Sequence, residues 1–83
     1  MNADLEDWKN GWHGLKLAVT QQEIDRLIEL LQAMKNDPEQ HFHIASDYKA
    51  GGGLGDIEVS IKIEHQPDNL FLSGLALGSG AEI

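Results

Sequence analysis

The chain contains no cysteine, so no disulfide can staple it and no thiolate can hold zinc. That absence mildly favours a reducing compartment. No apolar run approaches the roughly 20 residues of a membrane-spanning helix. The opening segment MNADLEDWKNGW lacks a basic start followed by an apolar core, so no signal peptide is expected. A cytoplasmic location follows as the expectation. Basic residues are scarce: six, against fourteen acids, for a formal charge of −8 on 83 residues. Nucleic acid is a poor partner for such a chain, because binding gains come from cations that neutralise phosphates. An anionic membrane surface is disfavoured for the same reason. The charge serves solubility, or it attracts a basic partner.

What is present fits one small globular domain spanning 1–83, at 41 % hydrophobic and 24 % charged. Residues 1–11 read as a mobile acidic lead-in closed by Gly11. From Trp12, Leu15, Leu17 and Val19 alternate with Gly14, Lys16 and Ala18, the period of a strand. TQQE at 20–23 is a capping box. Beyond it Ile24, Leu27, Ile28, Leu31 and Met34 form an apolar helical stripe, widened by Leu30, which suits core packing. Pro38, after Asn36 and Asp37, ends the helix.

Three further strands are expected. In HFHIASDY, Phe42, Ile44, Ser46 and Tyr48 share one face, and His41, His43, Ala45 and Asp47 the other. In DIEVSIKIEH, Ile57, Val59, Ile61 and Ile63 alternate with Asp56, Glu58, Ser60, Lys62 and Glu64. QPDN at 66–69 is turn chemistry, and NLFLSGLAL supplies the last strand. The resulting fold class is α+β, in the order β-α-β-β-β. One helix would pack on a four-stranded, mostly antiparallel sheet in two layers, with the other sheet face exposed.

The region from His41 to Glu58 concentrates the chemistry. KAGGGLGD is not a phosphate loop: no Gly-Lys-Ser/Thr closes it, and a strand follows instead of a helix. Its glycines serve a flexible hairpin connection. His41 and His43 project from one side of a strand, as does Asp47, and a His-x-His pair can chelate a metal. Two histidines and one carboxylate do not close a site, and Asp56 or Glu58 would complete it only in a favourable register. No metal or cofactor is therefore expected. The serines at 46, 60, 73 and 79 have no catalytic partner spacing, and one helix on one sheet offers little depth for a pocket. The protein reads as a non-enzyme.

HFHIASDY, GGGLGDIEVSI and DNLFLSGLALG, after a capped amphipathic helix, resemble the immunity-protein-32 family of bacterial polymorphic toxin systems. The resemblance covers about residues 12–80. It implies a cytoplasmic protein that neutralises a cognate toxin by direct binding, without catalysis. A basic toxin would suit the charge.

Two candidate surfaces follow. His41, His43, Asp47, Asp56, Glu58 and Glu64 would form an exposed polar sheet face for partner contact. Leu70 and Leu72 point to one side of the last strand and Phe71, Leu75 and Leu77 to the other. One set must therefore meet the tail, the Trp8–Trp12 segment or a second copy of the chain. The alternatives to immunity are a small-ligand or metal-binding module on the His41, His43 and Asp47 face, and a structural homo-oligomer.

Overall fold

The computed structural model describes the backbone of residues 1–74, 76–78 and 81–82, and the side chains of residues 1–74. The elements run β1 (Asn2–Asp7), β2 (His13–Ala18), α1 (Gln21–Asn36), β3 (His41–Ala45), β4 (Asp56–Ser60), β5 (Ala76–Gly78) and β6 (Ala81–Glu82). The class is α+β with one helix among the described residues. The strands pair antiparallel as β1–β2, β3–β4 and β5–β6, each a separate two-stranded sheet. The expected single four-stranded layer is not formed among the described residues.

The N-terminal segment differs most from expectation. Residues 2–7 are a strand, not a loose lead-in, and pair with β2 through Leu5 opposite Leu15 and Ala3 opposite Leu17. Those residues share one face. On the other, Glu6 meets Lys16 at 3.1 Å, and its carboxylate raises the Lys16 pKa above the ordinary lysine value. The turn is built by short polar side chains. Asp7 Oδ1 accepts from Lys9 N–H at 2.8 Å, and Asn10 Oδ1 accepts from Trp12 N–H at 3.0 Å. Lys9 takes a φ of 58° and Gly11 a φ of 93° to close it. Trp8 folds back over Gly14, where a Cβ would come within 2.8 Å of the indole.

Helix α1 forms as its cap predicts. Thr20 Oγ1 accepts from Glu23 N–H at 3.1 Å, and Glu23 Oε1 accepts from Thr20 N–H at 2.9 Å, which satisfies two donors the first turn would leave open. Asp37 ends it, donating its N–H to Ala33 O at 3.0 Å.

The expected stripe divides in two. Leu27 and Leu30 are half-buried and Met34 is buried, whereas Ile24, Ile28 and Leu31 are exposed, Ile28 by 60 %. Among the described residues only Met34 and Phe42 form a buried hydrophobic core, and no side chain is fully enclosed.

Strands β3 and β4 alternate as expected. Phe42, Ile44, Ile57 and Val59 point inward, and His41, His43, Asp56 and Glu58 outward. Both strands are shorter than the pattern suggests. β3 stops at Ala45 because Ser46 N–H is donated to Gly55 O and Tyr48 then turns the chain with a φ of 58°. β4 stops at Ser60, leaving Ile61 and Ile63 exposed, and Gln66 folds back on the turn by accepting the Ile63 N–H at 3.0 Å.

The strand expected over 69–77 is present only at its end, as β5. Residues 69–74 are extended away from the rest, with Leu70, Phe71 and Leu72 each more than four-fifths exposed. Leu75 and the side chain of Leu77 lie outside the described residues.

Candidate functional site

The polar face of the β3–β4 hairpin is set by register. His43 lies directly opposite Glu58, His41 opposite Ser60 and Ala45 opposite Asp56. With a side-chain period of two, His41, His43, Glu58 and Asp56 therefore stand on one face. Glu58 Oε1 is 3.6 Å from His43 Nε2 and 3.9 Å from His41 Nε2. The two imidazole rings meet edge to face, with centroids 5.1 Å apart at 81°. Behind them, the Asp56 carboxylate oxygens lie 2.9 and 3.1 Å from His43 Nδ1. A carboxylate only accepts, so Nδ1 meets Asp56 as a donor, and Nε2 is the ring nitrogen that faces Glu58.

Two of the six expected polar residues are elsewhere. Asp47 falls beyond the end of β3, where its Oδ1 accepts from Lys49 N–H at 3.1 Å and holds the loop. Glu64 sits in the turn after β4. The face thus gathers His41, His43, Asp56 and Glu58, with Asp56 and Glu58 in the places that Asp47 was expected to share. That register depends on the connection between β3 and β4 as well as on the apolar pattern of the strands, so neither strand read alone fixes it.

The apolar surfaces are the second feature. Ile24, Ile28 and Leu31 line the outer side of α1, Leu5 and Leu15 pair across the first hairpin, and Phe71 is 82 % exposed. Nothing among the described residues covers Phe71, and Trp8 lies on its own hairpin instead. Ile24, Ile28 and Leu31 were expected in the core and are exposed, because a helical period identifies an apolar face but not whether anything packs on it. An open groove of about 570 Å³ runs between the two hairpins, with Ala3, Leu17, Ile44, Leu54 and Ile57 in its walls.

No helix among the described residues is long and apolar enough to cross a membrane. The chain matches no family model, no curated protein and no solved structure.

Proposed function

We propose that the chain is a small acidic, non-catalytic binding protein that neutralises a basic toxin by direct contact, as its resemblance to immunity proteins implies. The observation that carries this is the amount of uncovered apolar surface on a strongly acidic molecule. The accessible surface is 7625 Å², against about 4,900 Å² for a folded monomer of this mass. The difference of about 2,700 Å², polar and apolar area together, exceeds the roughly 800 Å² that one partner contributes to a standard-size interface. Exposed Ile24, Ile28, Leu31 and Phe71 are large apolar side chains that a partner would remove from water.

Charge selects the partner. Two copies would bring −8 each into contact, and that repulsion opposes a homodimer. A basic protein gains from the same field, in rate as well as in specificity. Nucleic acid and anionic membrane are disfavoured by it. The expected four-stranded layer belongs to the bound state in this proposal: closing the groove between the hairpins would align β2, β3, β4 and the segment after residue 69. The proposal involves no catalysis; it is supported by open grooves and by the lack of a fully enclosed side chain among the described residues.

The test is to co-express the chain with the product of the reading frame next to its own gene, and to titrate the purified pair. A stoichiometric complex that abolishes toxicity is expected, with Ile28→Asp and Phe71→Ser each weakening it about tenfold or more. Absence of binding, or equal binding by both variants, overturns the proposal. So does a wild-type chain that buries this surface by dimerising.

A further inference from the structure

The polar face of the β3–β4 hairpin has a second capability, independent of the apolar surface. We propose that His41, His43 and Glu58 bind a divalent transition-metal ion, zinc by ligand chemistry, with Asp56 orienting His43 from behind.

Three observations carry it. The first is convergence from two strands. His41 and His43 come from β3, Glu58 comes from β4, and one nitrogen or oxygen from each lies within 4.8 Å of the other two. Tetrahedral coordination at bond lengths of about 2.0–2.1 Å places neighbouring ligand atoms about 3.3–3.4 Å apart. The Glu58 Oε1 separations of 3.6 and 3.9 Å from the two Nε2 atoms are close to that. The two imidazole ligand atoms lie within 4.8 Å of each other, so side-chain rotation must draw the histidines together for all three to reach one ion.

The second observation is the hydrogen-bond partner of His43. Both oxygens of Asp56 face Nδ1 at 2.9 and 3.1 Å. A carboxylate on the far nitrogen of a metal-binding imidazole fixes its tautomer, aims its Nε2 and makes it more basic. An ion pair made only for solubility would not need the donor atoms of three neighbours to point at one spot.

The third is chemistry. Two imidazoles and a carboxylate are borderline donors suited to zinc, and less suited to calcium or magnesium, which prefer oxygen alone. The −8 field of the molecule favours any cation.

Three protein ligands leave a fourth position for water. All three side chains are about half exposed, so the ion exchanges freely with solvent. An ion here clips β3 to β4 at their polar face. It gives the hairpin a brace that the thin core beneath does not supply.

Zinc titration of the chelator-treated full chain, with circular dichroism to confirm folding, tests the assignment. One zinc per chain is expected, with a rise in melting temperature at saturation. Affinity should fall as the pH is lowered, because the ligands must be deprotonated. His41→Ala, His43→Ala and Glu58→Gln should each abolish the one-to-one binding. Asp56→Asn, which touches no ion, should retain it with affinity about 10–100-fold lower. His65→Ala and Asp47→Ala should leave it unchanged. These substitutions are at exposed positions, and circular dichroism establishes the fold of each variant before its binding is read. Zinc binding no tighter than millimolar in the wild type overturns the assignment. Equal affinity in wild type and His43→Ala overturns it as well, since the ion would then be held elsewhere. Neither result depends on a protein partner.

Discussion

Lys9 and Tyr48 each take a φ of 58°, a region that side chains with a Cβ enter at a cost of roughly 1–2 kcal/mol. Both occur where a hairpin must reverse, and in both the backbone is held by a short side chain two residues earlier. Asp7 accepts the N–H of Lys9, and Ser46 Oγ accepts the N–H of Tyr48 at 2.9 Å. Replacing Lys9 with glycine removes the steric cost and adds unfolded-state entropy. A net gain of about 0.5 kcal/mol is expected. Lys9→Ala should give no gain, because a Cβ remains. Urea melts of the two variants beside wild type check this.

Such single residues also explain where sequence patterns mislead. HFHIASDY alternates through Tyr48 on paper, yet the turn at Tyr48 takes Asp47 off the strand face. Two local features decide that outcome. Ser46 closes the ladder on Gly55, and the glycines that follow let the chain return. The histidine face was legible at His41 and His43 from period two. Its completion by Glu58 and Asp56 was legible only as an option, since cross-strand register is a long-range property.

Elements differ in how far local chemistry determines them. Helix α1 is readable because its cap, its period and its stop all lie within twenty residues. Glu23 shows how closely the start is held. Its carboxylate accepts the Thr20 N–H and, through the other oxygen, the Met1 α-amino group at 3.0 Å. The Thr20 backbone bond, and then the amino group, lower its pKa below the ordinary carboxylate value. A depressed folded pKa contributes stability that is present above the unfolded value and lost as pH falls through the folded one. Wild type should therefore lose stability on acidification, and Glu23→Gln should lose less over the same carboxylate range. Thr20→Ala should cost about 1 kcal/mol at neutral pH by removing the hydroxyl acceptor. Thermal melts from pH 7 to pH 3 measure both.

Strand β1 was missed for a different reason. NADLED holds only Ala3 and Leu5 as apolar residues, and its stability comes from pairing with β2 and from the Glu6–Lys16 contact. Neither is visible in the segment itself. The chain after Pro67 is the opposite case: apolar enough to read as a strand, it is left without a partner strand over 69–74. Apolar alternation reports a wish to be buried, and only another surface can grant it.

At the scale of the molecule, the same theme appears in its dimensions. The radius of gyration is 15.1 Å, against about 12 Å for a compact domain of this length. Among the described residues, Ile24, Ile28 and Leu31 of α1, Leu5 and Leu15 of the first hairpin, and Leu70 to Leu72 stay in water. A surface of this kind is what the proposed contact with a partner would cover. The expectation of one helix on a four-stranded sheet, with the other sheet face exposed, therefore overestimated what the described residues bury. The composition foretold the size, the class and the sign of the charge, but it held no information on how much of the apolar set finds a partner within the chain.

Small-angle X-ray scattering of the isolated chain at several concentrations tests most directly whether this surface is free and available to a partner. Forward scattering gives the mass and the low-angle slope the radius. A 9.2 kDa monomer with a radius of gyration near 15.1 Å is predicted. A monomer of about 12 Å would mean that the chain covers its own apolar surface, and twice the mass would mean that a second copy does; either result contradicts a surface held open for a basic partner.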